Sequence, residues 1–326
     1  MQTNQNITEI EHCTLALDIG GTFVKSGLVS ASGLIEMFSP VSVDADGDSQ
    51  SVIKSFADVI FNGMSAARCG ITSVGVCVPG PFDYSRGVSL MTHKFAALYG
   101  IDLIAALRGI LPGLAIVPIR FRHDANAFLA GELWLGAGRG ARRLLGVTLG
   151  TGIGVSCSVD GAFLTNAQGS PAPDVSVWSL PYKEGVVEDA VSTKGVVARY
   201  RLMHQGYNPA KGVKGIAEAA MTGNCDALRV FEELGRDLGV VLRPLCERHC
   251  PERIIFGGQI ARSFDLFQEV LKAELKLSCR RPEVLAAQLG AQAALLGAVL
   301  KECRGETPVR AGAPVKLYTR NSMDVG

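Results

Sequence analysis

No stretch of this 326-residue chain holds the roughly 18 consecutive apolar residues that a membrane-spanning helix needs. Charge of one sign is also missing. With 32 Lys and Arg against 31 Asp and Glu the net charge is +1, which leaves no electrostatic footprint for nucleic acid or an acidic membrane. The first eleven residues are polar and lack the apolar segment of a secretory signal, so a cytoplasmic protein is expected. No G-x-x-x-x-G-K-[ST] loop occurs, and no G-x-G-x-x-G with a downstream acid follows an early strand. Histidine is scarce, with five scattered copies. Nine cysteines without a signal segment read as reduced thiols, with Cys13, Cys77 and Cys157 acting as small hydrophobes in apolar strands. Cys246, His249 and Cys250 could share a helix face, but the second thiol pair that a closed zinc site requires is absent, so no metal is expected there.

What is present points to a mixed α/β fold. A length of 326 residues suits about two domains, and 48% hydrophobic residues with 38 glycines give a sizeable core and many turns. Residues 14–19, 23–29 and 34–43 read as three strands joined by tight turns, and 50–68 carries a helical apolar stripe. A valine-rich strand at 73–78 ends at Pro79-Gly80-Pro81. A helix is expected at 101–111, a strand at 115–122, and a helix from His123-Asp124-Ala125-Asn126 to about Leu135. The opening theme then returns: a strand at 144–149, the turn Gly150-Thr151-Gly152, and a strand at 153–159. Such a duplication implies two related α/β domains facing each other across a cleft. After an insertion at 166–185 the chain reads as mainly helical, except for an apolar strand ending in Gly257-Gly258.

Three apolar strands therefore run into glycine turns, and each turn lets backbone approach an anion closely. In the first, Asp18 precedes Gly20, Gly21 and Thr22, and Lys25 follows on the next strand. Phosphate with magnesium is one reading of that segment, and a Gly-Gly hairpin is the other. Lys25 could neutralise phosphate or be an exposed strand lysine. Asp124, between a strand end and a helix start, could accept a proton from an alcohol in phosphoryl transfer. A plain helix cap accounts for it equally well. Asn126 could donate to the same substrate or cap the helix. Trp178 in the insertion reads first as a packed core residue, with stacking on a sugar face as the alternative.

These segments, in this order, resemble the ROK-family sugar kinases of the actin/hexokinase/Hsp70-like ATPase superfamily. Asp18-Ile19-Gly20-Gly21-Thr22 resembles the first phosphate motif, and Gly75 through Pro81 the G-x-x-x-P-G segment near the sugar. His123-Asp124-Ala125-Asn126-Ala127 with Gly131-Glu132 resembles the segment that holds the catalytic base. Leu149 through Gly154 resembles the second phosphate motif, Ile255-Phe256-Gly257-Gly258 the adenosine-side glycines, and 289–298 the closing helix.

The resemblance implies two actin-like (ribonuclease H-like) α/β domains with an interdomain cleft. The small N-terminal domain would span 1–121 plus 290–305, the large domain 122–289, and 306–326 would be a loosely ordered tail. It implies an ATP- and Mg²⁺-dependent carbohydrate kinase acting on a sugar hydroxyl, most simply O6 of a glucose-like hexose. Asp124 would be the base, and Asp18 would hold Mg²⁺ through water. Gly20, Gly21, Thr22, Lys25, Gly150, Thr151, Gly152, Gly257 and Gly258 would bind nucleotide and phosphate. Gly80, Lys94, His123, Asn126 and Glu188 would face the sugar. Homodimers are common among such relatives.

Departures from the family pattern fall on the acceptor side. Residues 166–185 contain no histidine or cysteine, so the zinc site carried by most members is not expected. Lys94 stands where relatives carry a sugar-contacting asparagine, and His123 replaces the asparagine beside the base. A β-glucoside or an N-acetylhexosamine thus joins glucose as a candidate acceptor. A non-catalytic sugar sensor or regulator is the alternative function. The regulators of the family place a winged helix-turn-helix of about 70 residues before the first phosphate motif, against 17 residues before Asp18 here.

Overall fold

The computed structural model describes residues 12–276 and 281–300, and the expectation for the 306–326 tail lies outside them. The described chain forms two compact units, one of residues 12–127, 168–170 and 294–300, the other of the remainder.

In the first unit, β1 (His12–Ile19), β2 (Phe23–Ser30) and β3 (Gly33–Met37) form an antiparallel meander, with β4 (Val41–Ser42) also on β2. The strand expected over 34–43 is broken at Phe38-Ser39-Pro40, where proline has no N–H to give a ladder. Helix α1 (Ser49–Ala66) starts at Asp48, whose carboxylate accepts the Ser51 N–H, and it buries Val52, Ile53, Phe56, Val59 and Ile60. Strand β5 (Gly70–Val78), buried along its last six residues, lies parallel to β1. The short strands β6 (Phe82–Asp83) and β7 (Val88–Ser89) pair with each other. Helix α2 (Leu103–Ile110) follows, capped by Asp102. Strand β8 (Ile119–His123) completes the sheet order β3-β2-β1-β5-β8. It starts four residues later than expected because Ala115 and Val117 bond back to Pro112 and Leu114 in a turn.

The cysteine expectation needs correction at one pair. Cys13 and Cys69 form a disulfide. The β1–β5 register sets His12 beside Gly70, which brings the two Cα atoms to 6.1 Å, within disulfide range. The free thiols of Cys77 and Cys157 are buried as expected.

Helix α3 (Asp124–Leu135) begins in the first unit and leads to the second. There β9 (Arg143–Leu149), β10 (Ile153–Val159) and β11 (Ala162–Phe163) form another antiparallel meander. The insertion contributes the hairpin β12 (Pro181–Tyr182) and β13 (Gly185–Val186), leading into α4 (Val187–Val191). Helices α5 (Thr193–Met203), α6 (Gly212–Met221) and α7 (Cys225–His249) come next. Strand β14 (Arg253–Gly257), α8 (Phe264–Leu275), β15 (Glu283–Ala286) and α9 (Gln292–Val299) end the described fold. The sheet order is β11-β10-β9-β14-β15.

The two sheets share one plan. In each, three consecutive strands run antiparallel and two later strands add in parallel to the first of them. Each unit has its own core, one around Leu15, Leu17, Phe56 and Val76, the other around Val147, Phe231, Phe256 and Phe267. In the second unit the buried Asp237 of α7 accepts from Tyr182, Lys183 and Arg199, which ties the β12–β13 hairpin to the helix. Cys246 packs in the core, while His249 Nε2 lies 3.4 Å from the Asp174 carbonyl. Among the described residues no group of three or more His, Cys, Asp or Glu is placed to hold a metal.

Candidate active site

The first glycine turn links β1 to β2 and closes on a bond from the Gly20 N–H to the Phe23 carbonyl, 3.0 Å. Thr22 lies exposed at its tip. Asp18 and Lys25 face each other across the two strands, with Nζ 2.9 Å from Oδ2. The Lys25 charge thus pairs with Asp18, while 39% of its side chain stays accessible. Lys94 approaches the turn from another direction, its Cδ 3.8 Å from where a Cβ on Gly21 would stand.

Asp124 follows β8 as the first residue of α3. Its Oδ1 takes the N–H of the next residue, Ala125, at 2.7 Å, not one two or three residues on as a helix cap would. His123 Nδ1 lies 3.0 Å from the same oxygen. The carboxylate is closely surrounded by protein yet open on one side, with half of its side-chain surface (50%) accessible. Burial pushes its pKa up, but the His123 charge and hydrogen bond, the Ala125 N–H and the Lys94 charge outweigh it. The group therefore sits below the ordinary value of 3.8 and is ionised at neutral pH.

The neighbours of Asp124 are held by packing. The Tyr84 hydroxyl donates to the Val78 carbonyl at 3.1 Å, and its ring meets the His123 ring edge-on at 5.7 Å. The His123 ring also lies over Gly80, with Nε2 3.5 Å from the position of a Cβ there. Asn126 is buried and donates to the Gly169 carbonyl at 3.2 Å. Residues 168–170, from the insertion, thus pack beside Asn126 and Tyr84, next to Asp124. Tyr84 was not singled out by the sequence, where it is one tyrosine in a loop without a motif.

In the second unit the Gly150–Gly152 turn closes on its own backbone and is fastened to α5, since the N–H and Oγ1 of Thr193 both donate to the Gly150 carbonyl. Thr151 is exposed. Glu188 of α4 reaches under this turn: its Oε2 accepts the Ile153 N–H at 3.2 Å and would stand 2.2 Å from any Cβ on Gly152. Gly258 adopts φ +91°, and a Cβ there would meet the Leu149 carbonyl oxygen at 2.2 Å, so this turn accepts only glycine. Gly257 packs on the Phe128 ring. The motif residue Glu132 is fully buried, and its carboxylate takes the N–H groups of Ala137, Gln288 and Leu289, a bracing role that its sequence position did not disclose. Trp178 is half exposed (52%), which corrects the expectation of a packed core residue; its backbone carbonyl receives the Glu188 N–H.

Among the residues implied for a metal, Asp18 offers one carboxylate with a lysine on one oxygen. Mg²⁺ keeps several waters and uses one or two carboxylates together with substrate phosphates, so a single hard-oxygen donor fits an ion arriving with its nucleotide.

The ROK family model matches residues 14–301. The glucokinase of Thermotoga maritima is 27% identical, over 88% of this chain and 97% of that protein. The DNA-binding transcriptional repressor Mlc of Escherichia coli K12 is 22% identical, over 63% of this chain and 53% of the repressor. The crystal structure of a ROK family glucokinase from Streptomyces griseus, in complex with glucose and AMPPNP, superposes with a TM-score of 0.70 at 24% identity, covering 88% of this chain and 97% of that one. This chain belongs to the ROK family.

Proposed function

We propose that the protein is a carbohydrate kinase that transfers the γ-phosphate of ATP to a sugar hydroxyl, with Asp124 as the general base. One observation carries the reading. An ionised, half-open carboxylate and a phosphate-type glycine turn lie in the same unit, and Lys94 runs along the turn while its charge acts on the carboxylate. In the proposed step the sugar O–H bond breaks and its proton passes to Asp124. The oxygen bonds to the γ-phosphorus, and the bond from that phosphorus to the bridging oxygen breaks to release ADP.

Backbone N–H groups of the Gly20–Thr22 and Gly150–Gly152 turns hold phosphate oxygens, and Gly257 and Gly258 serve the nucleoside. Asp18 would hold Mg²⁺ through water, and the ion would supply neutralisation of phosphate charge when bound. Lys25 orients Asp18 and does not meet phosphate itself. Asn126, Gly80 and Glu188 contact the sugar. The acceptor is a glucose-like hexose phosphorylated at O6, with β-glucosides and N-acetylhexosamines as the other members of the class. The glucokinase matches support sugar phosphorylation, and the likeness to the Mlc repressor favours a sugar-responsive regulator as the second reading.

ADP release measured across hexoses, β-glucosides and N-acetylhexosamines, with ATP or polyphosphate as donor, separates the two. Turnover with one sugar subset and ATP is expected. Sugar binding without turnover would establish the sensor instead.

A further inference from the structure

One short segment holds the first glycine turn and the backbone around Lys94 together. The Val43 N–H donates to the Thr22 carbonyl at 2.9 Å, and two residues on the Ala45 carbonyl accepts the Phe95 N–H at 3.0 Å. Phe95 is itself locked. It adopts the left-handed conformation, φ +50° and ψ +36°, which a bulky residue keeps only where its surroundings enforce it. Its side chain is fully buried, with the Phe56 ring of α1 edge-on at 5.6 Å. Met91 is buried on the other side, so the exposed residues 92–94 are pinned at both ends.

The Lys94 side chain is laid on the turn by this arrangement. Its Cδ lies 3.8 Å from where a Cβ on Gly21 would stand, along backbone that glycine leaves uncovered. Lys94 makes no hydrogen bond or close ion pair among the described residues, whereas Lys25 pairs with Asp18 at 2.9 Å. Its charge is still felt at Asp124, where it helps to keep the carboxylate ionised. Turn, lysine and carboxylate belong to the same unit. A phosphoryl group leaving the turn for an alcohol beside Asp124 would be repelled by that carboxylate. A cation whose stem lies on the turn, and whose charge reaches the base, offsets the repulsion where the group is transferred.

We infer that Lys94 is a catalytic residue whose ammonium contacts the phosphoryl group as it passes from ATP to the sugar. This assignment rests on the kinase reading and replaces the direct sugar contact expected of Lys94. Lysine meets phosphate as a point charge, so the contact requires no fixed fork of donors. It adds no proton transfer: the sugar proton still goes to Asp124.

Nucleotide binding to the full chain tests the contact without turnover. AMPPNP carries a γ-phosphoryl group and ADP does not, and both are titrated by calorimetry with Mg²⁺. Lys94→Met, which keeps an unbranched stem over Gly21, is expected to weaken AMPPNP about tenfold and ADP by less than about twofold. Lys94→Arg, which keeps the charge, is expected to recover most of the AMPPNP affinity. With an accepted sugar, Lys94→Met is expected to lower kcat by about 10² while the sugar KM stays within about twofold. Equal loss for AMPPNP and ADP, or loss for neither, overturns the inference. A raised sugar KM with the AMPPNP-to-ADP ratio unchanged also overturns it and returns Lys94 to the acceptor. If the wild type turns over no sugar while Lys94→Met loses AMPPNP selectively, the phosphate contact stands and the kinase reading falls.

Discussion

Asp124 shows what a residue's surroundings add to its identity. A carboxylate at a strand-to-helix junction has two readings in sequence, and which N–H it takes bears on the cap reading alone. Here it takes the adjacent one, which leaves an oxygen open. Lys25 was equally ambiguous, and the cross-strand register adds a partner the sequence did not show, since it sets Lys25 opposite Asp18 on β1 and β2. Gly152 offers a sharper test. A methyl there would displace the Glu188 carboxylate and break its bond to Ile153, so Gly152→Ala is expected to cost about 1–2 kcal/mol of stability and to raise the sugar KM. Calorimetry and kinetics that match the wild type would show that Glu188 does not depend on this contact. His249 gives a pH signature. Burial holds its pKa below the ordinary 6.5, so the unfolded chain binds the proton more readily and stability falls as pH drops through that value. His249→Gln is expected to flatten the loss of Tm between about pH 7 and 5; an unchanged slope would place the acid sensitivity elsewhere.

At the scale of elements, the repeated strand–glycine-turn–strand was legible because hydrophobic runs and paired glycines mark it in the chain. Its deeper content, the identical strand order of the two sheets, was not, because parallel partners such as β5, β14 and β15 are chosen by tertiary packing far along the sequence. Strand β15 was missed outright: Glu283-Val284-Leu285-Ala286 is too short to show a period, and it is a strand only because β14 lies beside it. The β12–β13 hairpin was hidden for the same reason, since its anchor is Asp237 on a helix some 50 residues away. The Cys13–Cys69 bond also depends on strand register, not on any spacing rule. Peptide mapping under non-reducing conditions is expected to recover these two cysteines linked. Replacing both with serine is expected to cost about 2–4 kcal/mol, read as a lower denaturation midpoint. Recovery of both as free thiols would contradict the pairing.

For the whole molecule, the order of motifs along the chain was sufficient to give the family, since the family model covers residues 14–301. The acceptor was not legible in the same way. Residues 168–170 are brought beside Asn126 and Tyr84 from an insertion without a recognisable pattern, and the proposed acceptor site would include them. If nucleotide and sugar bind the folded chain, each stabilises it by mass action, about 2.7 kcal/mol at a hundredfold excess over Kd. Thermal shift with AMPPNP and an accepted sugar is therefore expected to raise Tm, and no shift with either ligand would argue against a site for both.

The most direct test of the central claim is the single-turnover rate of Asp124→Asn with ATP and the accepted sugar, alongside the sugar affinity of the same variant. Phosphoryl transfer is expected to fall by about 10²–10⁴ while sugar binding stays within about threefold of the wild type. Transfer at a near-normal rate, with folding intact, would remove Asp124 as the base.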